Sequence, residues 1–179
     1  MPRPTEYKSV QHPTTKYAMG IGWSFISQSK SELLRGFSRK SKSPNEQARY
    51  ASFYYDEILF ERVKKFNPKY EYKKDGLVRF LNSFQNNIFG NRDFLQALRG
   101  EKTYFCQSEN RDLNLQFIDF ANPKNNIYQV TEEYTVYNGH YANREDVVFL
   151  INGIPVLVVE CKNATKDEAI AIGIDQLRR

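Results

Sequence analysis

NREDVVFLINGIPVLVVECK, residues 143–162, contains two apolar, β-branched runs parted by Asn152-Gly153, with acids opening the first and Glu160, Cys161 and Lys162 closing the second. Asn-Gly between two such runs is a strong hairpin signal. Strands this apolar are buried on both faces, so charge clustered at one end of the pair calls for a purpose. Loop length decides which charges share a face. A two-residue loop of Asn152 and Gly153 sets 151 opposite 154 and Asp146 opposite Val159, leaving Glu160 and Lys162 on the other face with Glu145. A three-residue loop, Ile151 to Gly153 with Gly153 left-handed, sets 146 opposite 158 and makes Glu160 the same-face diagonal neighbour of Asp146 at ~7–8 Å. The site expected here needs the second register.

Two carboxylates at that separation converge on one cation. Hard divalent ions such as Mg2+ take oxygen ligands at ~2.1 Å and keep several waters, so Asp146, Glu160 and the backbone carbonyl of Cys161 form an open ligand set. Lys162 points to the same face. That combination suits phosphodiester hydrolysis, in which a metal activates water and an ammonium stabilises charge on the phosphorane oxygens. The bland alternative is a strand end carrying an exposed i, i+2 ion pair of Glu160 and Lys162, worth under ~1 kcal/mol.

Outward from the hairpin, the chain of 179 residues fits one compact domain. With hydrophobic residues at 40% and charged residues at 26%, it is too apolar for a disordered protein. Its net charge of +5 suits a polyanionic partner without requiring one. The cysteines, Cys106 and Cys161, lie in strand-like runs without a CxxC or a neighbouring His, which makes a reduced cytoplasmic protein the expectation. No signal peptide or apolar run of ~20 residues marks secretion or membrane insertion.

Residues 4–12 read as a short helix broken or kinked at Pro13, with Glu6 in its first turn. A polar, basic stretch from Ser27 to Asn45 reads as loop with one helical turn. The spacing over 48–66 predicts a long amphipathic helix ending at Asn67-Pro68, with further helices at about 75–87 and 91–99. Past Gly100 come β-rich runs, TYFCQ, LNLQFIDF, IYQVTEEYTVY, DVVFLI and PVLVVEC, and then a helical terminal segment. The expected organisation is a helical cover over about 1–100 and a sheet with the site over about 101–179.

These residues resemble a known family. DVVFLINGIPVLVVECK is similar to the PD-(D/E)XK nuclease core, and in particular to the N-terminal endonuclease domain of the restriction (R) subunit of type I restriction-modification enzymes. TEYKSVQHP with GIGW, the NP at 67–68, IDFANPKNN at 118–126 and the DQLRR terminus extend the similarity over most of the chain. The resemblance implies an α/β fold with a central mixed sheet flanked by helices on both faces. It implies Asp146 and Glu160 as metal-binding acids, Lys162 as the catalytic lysine, Glu6 as the helix acid approaching the site, and Gln176 as the glutamine of a QxxxY motif. The tyrosine of that motif falls at position 180, outside this chain, and Arg144 and Glu145 stand where the family's proline is expected. The implied activity is Mg2+-dependent cutting of unmodified duplex DNA, with Mn2+ as alternative ion. Implied partners are DNA and the modification (methyltransferase) and specificity subunits. No GxxxxGK[ST] phosphate loop is present, so the family's ATP-driven translocase belongs to a C-terminal part beyond these residues.

Rival readings are a repair nuclease or junction resolvase with the same core, and a non-catalytic module docking DNA or subunits. Glu6 also fits a first-turn acid favourable to the helix dipole, and Gln176 a solvent-facing helix residue. His140 reads as a loop histidine. Arg39, Lys40, Lys42, Lys64, Lys65, Arg178 and Arg179 either meet phosphates or solvate a surface. The many Tyr and Phe read as core.

Overall fold

The computed structural model describes residues 5–37, 51–69, 73–137, 142–162 and 168–177, with only the backbone described for 137, 169, 176 and 177. Arg39, Lys40, Lys42, His140, Arg178 and Arg179 lie outside the described residues. The chain divides into two compact units: residues 1–53, 128–150 and 155–179, and residues 54–127 with 151–154.

The first unit is built on a mixed four-stranded sheet in the order β1-β4-β5-β6, flanked by helices, an α/β restriction-endonuclease-like core. Its strands are β1 (Ser24–Ile26), β4 (Tyr128–Tyr137), β5 (Ala142–Ile151) and β6 (Ile154–Val159). β1 lies parallel to β4, with Phe25 opposite Val130. Helix α1 (His12–Gly20) contacts β1 and β4, and α2 (Gln28–Leu34) contacts β4. Ala18, Val130, Val147 and Cys161 are buried together, with Val10, Trp23, Phe149 and Val159 packed against them. Each fully buried valine contributes about 1.5–3 kcal/mol of hydrophobic stabilisation. Trp23 fixes the seam between helix and sheet through edge contacts to Phe149 at 4.9 Å and Tyr128 at 5.1 Å.

Pro13 does not break the first helix. Residues Tyr7–Gln11 form a π-helix that runs straight into α1, and the His12 N–H reaches back to the Tyr7 carbonyl. Proline lacks an N–H and its ring crowds the carbonyl four residues earlier, and the wider π turn accommodates both.

The second unit packs α3 (Asp56–Phe66), α4 (Lys74–Leu81) and α5 (Ile88–Leu98) with a small antiparallel pair, β2 (Tyr104–Cys106) and β3 (Arg111–Leu113). Leu59, Val63, Leu77, Leu81, Leu98 and Phe117 lie in its core. The amphipathic helix expected over 48–66 starts only at Asp56, and 48–50 lie outside the described residues. Tyr55 stays outside the helix, its N–H donating to the Gly153 carbonyl at 2.9 Å, and Asp56 and Glu57 then suit a helix N-terminus. LNLQFIDF is not a strand beyond Leu113: Leu115 and Phe117 are buried, but Asn67 takes up the local backbone groups, accepting from the Gln116 N–H and donating to its carbonyl. Among the described residues no helix is long and apolar enough to cross a membrane.

The hairpin forms with a two-residue turn, against the three-residue loop that the site was expected to need. Asn152 at φ 54 and Gly153 at φ 79 make the mirror-image turn that matches strand twist. Asn152 is buried and fully engaged. Its side chain accepts from the Ile127 N–H and donates to the Phe117 carbonyl and Asn126 Oδ1. A Cβ on Gly153 would stand 2.8 Å from the Tyr55 carbonyl oxygen, so only glycine fits.

Candidate active site

Asp146 sits on β5, Glu160 and Lys162 follow the end of β6, and Glu6 precedes the π-helix. Lys162 joins them. Its Nζ hydrogen-bonds Glu160 Oε1, donates to the Cys161 carbonyl at 3.1 Å and lies 3.9 Å from Glu6 Oε1. Asp146 Oδ2 accepts the Cys161 N–H at 2.6 Å. The side chains of Lys162 and Glu160 are only 13% and 6% exposed, so this is no solvated surface pair.

A strict two-residue register would put Val147 on the face of Val158 and Glu160. Instead Val147 and Cys161 are buried in one apolar cluster, with Phe149 and Val159 against it, while Asp146 acts electrostatically on Glu160 and Lys162. The alternation therefore slips by one residue along β6, where Val156, Leu157 and Val158 are three successive exposed side chains. Apolar groups of both strands meet in the core, while Asp146, Glu160 and Lys162 act on one another electrostatically, despite the shorter turn.

The electrostatics of the cluster show excess negative potential. Burial raises the pKa of Asp146, with the charges of Glu160 and Glu6 adding to it against the Cys161 N–H and Lys162. Burial, then Glu160 and Asp146, raises that of Glu145. The Cys161 thiol is pushed up to about 11, by burial first and by Asp146, Glu160 and Glu6 next. For Lys162, burial works downward, but the hydrogen bond and charge of Glu160, with Glu6 and Asp146, carry the pKa upward. One ammonium does not neutralise the acids around it.

Sequence reasoning passed over Glu145 as an acid of this neighbourhood, although the two-residue register places it with Glu160. It also missed Gln11, a buried residue whose Nε2 donates to the Asp146 carbonyl oxygen at 3.1 Å and to Glu133 Oε1 at 3.0 Å. Thr15 donates to the adjacent Glu132 at 3.0 Å, so two successive strand residues both reach the N-terminal helix. Glu133 at φ 55 breaks the alternation that would forbid this, and Arg144 pairs with its other oxygen at 2.6 Å. The paired acids inside an otherwise alternating run were the available signal. Gln176 belongs to α6 (Ala169–Leu177), but its side chain lies outside the described residues. Gly173 of that helix approaches the Lys162 stem: a Cβ there would stand 3.6 Å from Lys162 Cγ.

Among the described residues no three His, Cys, Asp or Glu side chains gather as a ready metal-ligand set. The donors present are Asp146, Glu160 and the Cys161 carbonyl, all hard oxygens, in a neighbourhood whose acids repel one another. A small hard dication fits that donor type and would relieve that repulsion.

The sequence profile of a family described as the type I restriction enzyme R protein N terminus matches residues 3–179. No curated protein matches the chain significantly.

Proposed function

The chain belongs to the family of type I restriction enzyme R protein N termini, and on that basis we propose that it is the metal-dependent endonuclease domain of such a subunit, hydrolysing phosphodiester bonds of unmodified duplex DNA. The observation that carries this reading is the junction of Asp146, Glu160 and Lys162 around the Cys161 peptide. Asp146, Glu160 and the Cys161 carbonyl would hold Mg2+ or Mn2+, with Glu6 nearby. When bound, the ion supplies an activated water and neutralises phosphate charge.

The protein's own groups do the rest. Lys162 carries a proton firmly, as its raised pKa requires, and offers it as a hydrogen-bond donor where charge develops on the scissile phosphate. Gln11 fixes the backbone that bears Asp146. Gln176 is the remaining candidate for a substrate contact. DNA delivery by an ATP-driven motor, and association with modification and specificity subunits, complete the reading.

The test is plasmid cleavage by the assembled restriction complex carrying Asp146→Ala, with ATP turnover measured alongside. Cutting is expected to fall by at least 100-fold, about 3 kcal/mol in barrier, while ATP turnover persists. Unchanged cutting would falsify the reading and leave a docking module.

A further inference from the structure

The helical unit holds a cleft of about 920 Å³ lined by α3, α4, β2 and the chain after β2, away in sequence from the acids of the sheet. Among the described residues its charged lining is Lys64, Lys73 and Arg79 against one acid, Asp75. None of the three cations forms an ion pair with a described residue, whereas the neighbouring Lys74 pairs with Glu57. Three cations around one acid leave a positive lining that attracts a polyanion.

The floor is shaped as well as charged. A Cβ on Gly76 would stand 2.5 Å from Tyr104 Oη, so the glycine is what lets the phenol lie against the first turn of α4. Tyr104 is steadied by an edge contact to Phe80 at 5.6 Å, and Arg79 acts on its hydroxyl. Phe60 adds a second aromatic wall, and the Lys73 side chain, at the start of α4, does not cap that helix. Cations spaced around aromatic walls are the composition that tracks a nucleic-acid backbone.

We propose that this cleft binds phosphate groups of a nucleic-acid strand, with Lys64, Lys73 and Arg79 as the contacts and Tyr104 as a hydrogen-bonding floor. The choice of nucleic acid among polyanions rests on the restriction-subunit reading; the anion site itself does not depend on Asp146.

The test is fluorescence anisotropy of labelled single-stranded and duplex oligonucleotides with the 179-residue chain, across a salt series. The variants are Lys64→Gln/Lys73→Gln/Arg79→Gln, the control Lys8→Gln/Lys16→Gln/Lys30→Gln, and Asp146→Asn, each checked for fold by circular dichroism. The cleft variant is expected to weaken binding roughly tenfold or more at low salt. Its salt slope should fall by about 2 for the single strand and nearer 3 for the duplex. The control should lose less than threefold, and the loss in the cleft variant is expected whether or not Asp146→Asn abolishes cutting, so that a failure of either reading shows separately. Gly76→Val, which displaces the Tyr104 hydroxyl, should weaken binding without a change of charge. Equal losses in cleft and control variants, or no loss in the cleft variant, would overturn the proposal. So would full competition by inorganic phosphate at constant ionic strength, which would mark a small-anion site instead.

Discussion

At Asp146, geometry and charge pull against one another. Its carboxylate accepts a short hydrogen bond from Cys161, yet its pKa lies above the ordinary range because it is buried and faces Glu160 and Glu6. An acid whose folded pKa is raised contributes stability that is fully present below its unfolded value, about 3.9, and lost as pH rises through the folded one. Asp146→Asn keeps an acceptor for Cys161 and removes the charge. The variant is therefore expected to melt higher than wild type near pH 7, with the gain shrinking to nothing near pH 3.5; a gain independent of pH would contradict this origin. Lys162 was legible in the sequence as a partner of Glu160. Its bond to the Cys161 carbonyl was not, because a backbone contact leaves no trace in residue types.

At the scale of the element, the hairpin was legible and its register was not. Asn152-Gly153 announces a tight turn, but the one-residue slip along β6 depends on packing of Val147, Val159 and Cys161 that no local signal encodes. Asn152 also serves a second purpose, tying Ile127, Phe117 and Asn126 around the tip. Gly153→Ala meets both a left-handed φ and the Tyr55 carbonyl, and should cost about 1–3 kcal/mol, read as a shift in urea midpoint. A cost below about 0.5 kcal/mol would mean that the turn relaxes freely. The helix expected over 48–66 misled for a related reason: Tyr54 and Tyr55 keep the helical spacing but are buried outside the helix, Tyr55 held by a backbone bond to Gly153. Periodicity reports which residues are buried better than which element buries them.

For the whole molecule, the resemblance to the nuclease core implied an α/β fold, and the four-stranded mixed sheet meets that expectation. The division into units was not legible: β1, only three residues long, joins the sheet from within the part expected to be helical cover, and residues 151–154 belong to the second unit. A strand that short carries too little alternation to be read. The acids beside Lys162 are proposed to hold one divalent ion. Anomalous diffraction from Mn2+-soaked crystals of this chain tests it most directly. A single peak is expected at about 2.0–2.3 Å from carboxylate oxygens of Asp146 and Glu160 and the Cys161 carbonyl, absent in Asp146→Asn. No peak there under saturating Mn2+, with the Lys162–Glu160 pair intact, would contradict it.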